Sequence, residues 1–530
     1  MTEATSDILI IGAGHNGLAC AYYLAAAGMK VTMLERRSVV GGAAVTEEFV
    51  PGFRNSTASY TVSLLNPKII DDMGLYRHGL RVVLRKIDNF LPTLGSDHLL
   101  SGRNGLTRAE IARHSPADAE GYDAYVAALD SVVALLRAWL LRAPPNAGGG
   151  LADILSLLKL GNGVRHMDLE GQRVLLDFFT KSAAEILERY FRTDIVKALF
   201  GFDAVVGNYA SPHAPGSAYV LLHHLFGEAA GVAGAWGHAI GGMGAITQAM
   251  AKACREKGVE ILLDTPVEEI IVERGRATGV VAGGKAFRAR AVAANVNPKF
   301  LFGSLLPDGA VAPEISRRMA GWGAESATFR MNVALSELPR FTSRPKPGDH
   351  LTAGIIIAPS LGYMDRAYTS ARSEGWAREP IVEMLIPSTL DDSLAPPGGH
   401  VASLFCQHFP YNVEGGWPAR VDEAADHIID HVDAYAPGFK ASVIGRLALS
   451  PWHLEQRFNL VGGDIFHGKM GLDQLFSARP MLGHADYRMP LAGLYLCGAG
   501  AHPGGGVTGA PGHNAAHAIL ADRRKLKRVA

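Results

Sequence analysis

The stretch Asp7-Ile-Leu-Ile-Ile-Gly-Ala-Gly-His-Asn-Gly17 decides the fold of the first part of this 530-residue chain. Residues 7–11 form a short, mainly apolar run, as expected of a parallel strand buried on both faces. A glycine-rich turn follows directly, and residues 18–27 have the Ala/Leu-rich composition of a helix. Gly28 ends that helix, and Lys30–Leu34 reads as a second strand. The stretch therefore predicts a β–α–β unit with a GxGxxG fingerprint.

Each residue type in this fingerprint has a physical reason. Gly12 permits a tight turn, Gly14 lets the backbone approach a pyrophosphate, and Gly17 lets the helix pack closely on the strand. The free N–H groups at the helix N-terminus attract phosphate oxygens. Glu35 follows at the tip of the second strand, about 20 residues on, where a carboxylate accepts hydrogen bonds from ribose hydroxyls. The sequence predicts a dinucleotide site.

Two further glycine-rich segments favour FAD over NAD. Gly41 and Gly42 follow Glu35 closely, and they suit a second backbone pass along an extended FAD. Residues 494–512 hold seven glycines between a predicted strand and a predicted helix, so this loop can press its backbone against a flat ring system. The cluster at 241–244 lacks both a preceding apolar strand and a trailing acidic residue. We predict one FAD domain and no separate nicotinamide domain.

Composition narrows the function classes. The chain has 51 Lys+Arg against 51 Asp+Glu, which removes the bulk electrostatic argument for a nucleic-acid partner. Its four cysteines are far apart and form no CxxC, so neither a dithiol centre nor a structural zinc site is expected. The histidines show no metal-ligand spacing. No targeting segment or transmembrane helix is predicted, and a cytoplasmic location fits.

The pattern along the chain predicts α/β and α+β architecture in two units. Residues 1–104, 236–300 and 485–530 are assigned to an FAD-binding domain of Rossmann type, built from discontinuous segments. Residues 105–235 and 301–484 are assigned to a substrate domain of sheet plus helices, with a mainly helical insertion. Within that insertion, apolar residues recur at helical spacing from Leu129 to Leu140. Such a stripe indicates a core helix, a membrane-contact helix or the wall of an apolar tunnel.

Four segments together carry a family resemblance. GAGHNGL (12–18), LERRSVVGGAAVTEE (34–48), PGFRNSTASYTVSLL (51–65) and LYLCGAGAHPGGGVTGAPGHNAAHA (494–518) resemble the carotenoid/retinoid oxidoreductase family of FAD proteins, in its phytoene-desaturase-like group. The resemblance covers essentially the whole chain. It implies a glutathione-reductase-like FAD domain with an inserted substrate domain. It also implies membrane association or a mitochondrial relative.

The resemblance carries cofactor contacts onto particular residues. Ten residues would line the cofactor: Gly12, Gly14, Asn16, Gly17, Glu35, Arg36, Gly41, Gly42, Ala43 and Ala44. Val267 would hold the adenine side through its backbone, and Gly498, Gly500 and Val507 would approach the flavin. Ala43 stands where relatives often carry Arg, so any contact of that guanidinium must be absent or supplied elsewhere.

An FAD without a nicotinamide domain takes electrons from a substrate and passes them to oxygen, a quinone or another acceptor. Four polar residues lie in or beside the glycine motifs: His15, Tyr60, His502 and His513. We expect His502 and Tyr60 to be the catalytic candidates. For each of the four, a purely structural role is the alternative.

The leading hypothesis is an FAD-dependent oxidoreductase of desaturase or dehydrogenase type, acting on an apolar or extended small molecule. A flavin amine or alcohol oxidase is an alternative, and it would need an aromatic cage drawn from Tyr60, Trp236 or Trp452. A redox-neutral flavin isomerase and a non-enzymatic flavin-binding regulatory protein also stay open. Peripheral membrane contact and homo-oligomer formation through residues 125–160 stay open too. A eukaryotic chain of this kind would be placed in the mitochondrial matrix.

Overall fold

The computed structural model describes residues 6–223 and 226–527. Its strands are β1 (Ser6–Ile11), β2 (Val31–Leu34), β3 (Thr46–Val50), β4 (Phe53–Ser56), β5 (Val82–Leu84), β6 (Asn89–Pro92), β7 (His98–Ser101), β8 (Glu228–Ala229), β9 (Val232–Ala233), β10 (Gly237–Ala239), β11 (Glu260–Leu262), β12 (Val267–Glu273), β13 (Arg276–Ala282), β14 (Lys285–Ala294), β15 (Thr328–Leu335), β16 (Gly354–Ile357), β17 (Ile381–Leu385), β18 (His400–Gln407), β19 (Val443–Leu449) and β20 (Leu494–Leu496).

Many of the helices lie between β7 and β8, and the last two follow β20. They are α1 (His15–Ala26), α2 (Pro67–Asp72), α3 (Leu106–His114), α4 (Pro116–Arg137), α5 (Leu151–Arg165), α6 (Leu169–Thr180), α7 (Ala183–Tyr190), α8 (Asp194–Val205), α9 (Ala218–His223), α10 (Gly244–Glu256), α11 (Pro298–Phe300), α12 (Pro313–Ala320), α13 (Leu361–Glu374), α14 (Trp417–Tyr435), α15 (Phe439–Ser442), α16 (Pro451–Phe458), α17 (Ala510–Ala521) and α18 (Arg523–Lys527).

The first sheet is built around β1. Parallel strands follow the order β11, β2, β1, β14 and β20, with Ile8 opposite both Val31 and Ala291. Strand β1 is buried on both faces, which is why its sequence is a continuous apolar run. Helix α1 begins at His15, three residues before the predicted start. The predicted β–α–β unit of Rossmann type is confirmed.

Strand β14 also extends the sheet in the antiparallel sense. It pairs with β13, and a turn at Gly283 and Gly284 connects these two strands. Strand β13 pairs in turn with β12. Both glycines have a positive φ, of +55° and +68°, as a tight hairpin turn of this kind requires. The glycine pair therefore forms the turn of a β13–β14 hairpin.

The second sheet has the order β19, β15, β18, β17, β16, β6 and β7. All neighbours are antiparallel except β16 and β6. One face packs through Phe329, Met331 and Leu404 against buried residues of α14, including Ile428 and Val432. Strands β6 and β7 lie inside the segment 1–104, yet they pair with this second sheet. We propose that the boundary of the first FAD-binding segment falls before residue 89.

The helical insertion contains two contrasting helices. In α4, Leu129, Val132 and Val133 are buried in a core shared with α7 and α8, as the core interpretation of the stripe predicts. In α5 no residue is buried. Across residues 6–223 and 226–527, no helix combines the length and the apolar character needed to cross a bilayer.

Candidate functional site

A cavity of about 410 Å³ runs from the fingerprint turn to the second sheet. Gly12, Gly14 and Glu35 line it at one end, which we call the nucleotide end. Glu383 on β17 and Phe405 on β18 line it at the other, which we call the substrate end. The cavity therefore joins the two sheets that the sequence assigns to cofactor and substrate.

Close backbone packing shapes the nucleotide end. Gly12 has a φ of +90°, and a Cβ at Gly17 would lie 2.3 Å from the carbonyl oxygen of Gly12. The second glycine pair packs on the same turn, because Gly41 N–H donates to the carbonyl of Ala13 at 2.9 Å. A Cβ at Gly41 would meet the carbonyl oxygen of Ala44 at 2.6 Å. A side chain at Gly17 or Gly41 would displace backbone, so glycine allows the chain segments at this end to pack closely.

Glu35 is held rigidly at the tip of β2. Its carboxylate accepts the N–H of Ala13 at 2.8 Å through one oxygen and the N–H of Arg37 at 3.0 Å through the other. An ionised carboxylate has about four lone-pair sites, so each oxygen can accept one more hydrogen bond. The arrangement leaves Glu35 oriented to accept ribose hydroxyls at the cavity wall.

Two buried polar atoms at this end have no hydrogen-bond partner among the described residues. They are Oδ1 of Asn16 and Nη1 of Arg37, and both side chains line the cavity. Buried polar atoms in proteins nearly always have partners. Polar groups of a dinucleotide would supply the missing hydrogen-bond partners. The glycine-rich turn leaves room for a pyrophosphate to lie directly against the backbone. The residues present therefore fit FAD.

Most of the predicted cofactor residues lie on the cavity wall. These are Gly12, Gly14, Asn16, Glu35, Arg36, Gly41, Gly42, Ala43, Ala44, Val267 and Val507. Gly17, Gly498 and Gly500 do not. A Cβ at Gly498 would lie 3.0 Å from Oδ1 of Asn295, and one at Gly500 would lie 2.3 Å from Cδ of Pro298. These two glycines are required for packing on segment 295–298, and their predicted approach to the flavin stays a prediction.

The two catalytic candidates occupy different environments. Tyr60 lines the cavity, and its hydroxyl donates to Oε2 of Glu383 at 2.5 Å. His502 lies outside the cavity wall, where its Nε2 is hydrogen-bonded to the carbonyl of Trp139 at 3.1 Å. Burial lowers the pKa of His502 to about 4. In this position the side chain ties the end of the α4 segment to the glycine-rich loop, and the catalytic role expected for His502 stays a prediction.

The two other histidines beside the motifs are also placed. His15 lines the cavity, and its Nε2 is hydrogen-bonded to the carbonyl of Gly506 at 3.1 Å. His513 lies outside the wall, with its Nδ1 2.8 Å from Oδ1 of Asn514. The predicted structural role for His513 thus has a described partner. Of the aromatic-cage candidates, Tyr60 and Trp236 line the cavity, whereas Trp452 does not.

Sequence reasoning missed two buried charges at the substrate end. Arg330 on β15 and Glu383 on β17 line the cavity while only 1% and 4% exposed. The Arg330 guanidinium lies 4.3 Å from the centre of the Tyr60 ring. Burial raises the pKa of Glu383, partly offset by the positive charges of Arg85 and Arg330 and by the Tyr60 hydrogen bond. The available signal was a charged residue within a fully buried strand.

Two family models match parts of the chain. A model described as "NAD(P)-binding Rossmann-like domain" matches residues 10–71, and one described as "Flavin containing amine oxidoreductase" matches residues 139–315. A solved structure of putrescine oxidase shares the fold, with a TM-score of 0.61 at 16% identity over 98% of this chain and 99% of that one. Fold, site and matches define this chain as an FAD-dependent oxidoreductase.

The family follows from more similar relatives. Pyridine nucleotide-disulfide oxidoreductase domain-containing protein 2 of Rattus norvegicus is 39% identical over 98% of this chain and 94% of its own length. The chain belongs to the family of that protein. Phytoene desaturase (lycopene-forming) of Pseudescherichia vulneris is 26% identical over 94% of this chain and 96% of its own length, which confirms the predicted resemblance.

Proposed function

We propose that this protein dehydrogenates or desaturates an apolar or extended small molecule. Electrons would pass through FAD to oxygen, a quinone or another acceptor. The observation that carries the proposal is the composition of the substrate end. Elements outside the first sheet contribute mainly apolar side chains there: Leu64, Phe202, Val206, Phe405, Ile465 and Phe466. Such a wall suits an apolar ligand.

The chain's own contribution is to bind, orient and keep water away. FAD, when bound, supplies the two-electron redox chemistry. The apolar wall would align a substrate carbon with the cofactor in a dry space, which accelerates a transfer mainly through positioning. Tyr60 and Glu383 are the hydrogen-bonded pair that can hold a proton at this wall. Among the predicted catalytic residues, Tyr60 is therefore the one we retain.

The names of the relatives agree with this substrate class. The name of the Pseudescherichia vulneris relative gives phytoene as its substrate, and phytoene is a long hydrocarbon. The test is anaerobic mixing of the purified FAD-loaded protein with apolar polyenes and terpenes, without NADH. We expect the flavin absorption near 450 nm to bleach (an approximate position for any oxidised flavin). Failure of every apolar compound would contradict the proposal.

An amine oxidase is the second candidate. The amine-oxidoreductase model matches residues 139–315, and Tyr60 and Trp236 both line the cavity, as two walls of an aromatic cage would. Primary and secondary alkylamines should then bleach the flavin where hydrocarbons of the same length do not. The same anaerobic assay separates the two candidates.

Cellular location and assembly stay predictions. We propose a cytoplasmic protein, or one of the mitochondrial matrix if the source is eukaryotic. Helix α5 exposes at least half of each of five apolar side chains, which peripheral membrane contact or self-association would cover: Leu151, Ile154, Leu155, Leu157 and Leu158. Flotation with anionic vesicles and the molecular mass in solution test these two alternatives separately.

A further inference from the structure

The substrate end holds more positive than negative charge. Arg330 and Arg85 are both buried, at 1% and 2% exposure, and Glu383 is the buried carboxyl beside them. Among the residues that the structure describes, no carboxylate forms an ion pair with either guanidinium. Asp203 does not balance the charge at neutral pH, since burial, reinforced by the charge of Glu383, raises its pKa to about 8. Glu383 offsets part of the charge of both guanidinium groups, and Asp88 acts on Arg85 as well. Arg330 is therefore a buried cation that is only partly balanced and has no direct ion pair among the described residues, which is costly.

Only one of the two guanidinium groups faces the cavity. Arg330 lines it, whereas Arg85 is absent from the wall and donates to Oγ1 of Thr61 at 2.6 Å. Arg85 also lies against the ring of Trp236, at 5.6 Å from its centre. Arg330 is thus placed to meet a ligand, and Arg85 is the structural member of the pair.

The hydrogen bonds that Arg330 donates leave two N–H groups of its guanidinium available to a ligand. Nε donates to the carbonyl of Ala58 at 2.9 Å, Nη1 to the carbonyl of Leu404 at 2.7 Å, and Nη2 to Oγ of Ser403 at 2.7 Å. All three acceptors are neutral. A guanidinium has five N–H groups, so Nη1 and Nη2 each keep one beyond these bonds. Three bonds also fix the group, so little side-chain entropy is lost when a ligand binds.

We propose that the substrate is an apolar molecule that carries a carboxylate or similar anionic group, and that Arg330 binds this group at the substrate end. The inference rests on the proposed function and refines its substrate class. Two N–H groups on one guanidinium match the two oxygens of a carboxylate. The ligand anion would supply the direct ion pair that Arg330 does not form with any described carboxylate, while Glu383 acts on Arg330 only at longer range. The apolar wall around Phe202 and Phe405 would hold the rest of the molecule.

The test measures binding by calorimetry, using the FAD-loaded protein and three ten-carbon probes: decanoate, 1-decanol and decylammonium. Wild type should bind decanoate at least about tenfold more tightly than 1-decanol, because a charge-assisted hydrogen bond contributes about that ratio. Decylammonium should bind most weakly. Arg330→Met should remove the preference for decanoate, and Arg330→Lys should keep part of it because the charge remains. Arg85→Met, the matched buried control outside the cavity wall, should retain it.

Each other outcome is decisive. Equal affinity of wild type for decanoate and 1-decanol, or a preference that survives in Arg330→Met, would overturn the inference and leave the proposed dehydrogenase untouched. Tightest binding of decylammonium would overturn it in favour of the amine oxidase. Loss of FAD from a folded Arg330→Met would show that Arg330 holds the cofactor instead. If none of the probes binds wild type, the apolar cavity is not a substrate site and both proposals fall. Where Arg330→Met does not fold, wild type and Arg330→Lys decide.

Discussion

The two ends of the cavity are built in opposite ways. At the nucleotide end, backbone approaches backbone, and the approach fits because Gly17 and Gly41 have no Cβ atom. At the substrate end, long side chains from two strands and from the loop after β4 meet. The Tyr60 hydroxyl donates a hydrogen bond to the Glu383 carboxylate, and the Arg330 guanidinium lies over the Tyr60 ring.

This difference separates the recognition of the cofactor, which is general to dinucleotide-binding proteins, from the recognition of the substrate, which is particular to this protein. A backbone cradle recognises phosphates and ribose, which are the same in every dinucleotide. Side chains define shape and charge, which vary with the substrate. Substitutions at the nucleotide end should therefore reduce stability and FAD binding. Substitutions at the substrate end should leave FAD bound and change which substrate binds.

The largest effect is expected at Gly17. In Gly17→Ala the new methyl group would lie 2.3 Å from the Gly12 carbonyl oxygen, so α1 must move away from β1. We expect about 3 kcal/mol lower stability in urea unfolding and loss of bound FAD. The control is Gly283→Ala, where nothing lies within 4 Å and only the φ of +55° is strained. That variant should lose roughly 1 kcal/mol and keep its FAD. Equal losses in both would refute the close-packing argument.

Glu35→Gln tests the same end without changing its shape. The amide keeps one acceptor oxygen but places an NH₂ group against the N–H of Ala13 or Arg37. We expect FAD affinity to fall by about thirtyfold, equivalent to about 2 kcal/mol, in a fluorescence titration of the apoprotein. Glu48→Gln, on the exposed face of β3, is the matched control and should bind FAD like wild type. Unchanged affinity in Glu35→Gln would remove Glu35 from the cofactor site.

At the substrate end, Tyr60→Phe should separate stability from cofactor binding. The variant leaves Oε2 of the buried Glu383 without its donor, which should lower the free energy of unfolding by about 1.5 kcal/mol. The flavin absorbance per protein should stay at the wild-type value. Tyr76→Phe, at a tyrosine that is 50% exposed, is the control and should change neither quantity. Loss of FAD from Tyr60→Phe would show that the two ends are not independent.

The contrast also explains how much the sequence could predict. The sequence predicts the β–α–β unit, the second glycine pair and Glu35. It does so because a backbone that packs against a dinucleotide needs glycine at fixed spacing along one segment. Glycine density alone could not say what each glycine approaches. Gly498 and Gly500 pack on segment 295–298, which is distant in the chain and is brought close by the sheet.

The substrate end gave only a weak local signal. Arg330 and Glu383 interrupt apolar runs on β15 and β17, and a charge inside a buried strand is unusual. Their convergence depends on both strands pairing with β18, an order that periodicity does not reveal. The contact made by His502 could not be predicted from its local sequence either. It lies in the glycine-rich loop, but its ring is bonded to Trp139 on the helical insertion.

The smallest effect, and the last test of the contrast, concerns His502. Its folded-state pKa is about 4 against an ordinary value of 6.5, so the unfolded chain binds the proton more readily between these values. The stability linked to His502 is present above pH 6.5 and is lost as pH falls towards 4. His502→Gln should flatten this part of the unfolding profile and cost about 1 kcal/mol at pH 7 through the weakened bond to Trp139. His166→Gln, at the exposed end of α5, should leave the profile as in wild type. Because His502 lies outside the cavity wall, flavin reduction by substrate should persist in His502→Gln. A folded, FAD-loaded variant that no longer reduces would return this histidine to the catalytic candidates.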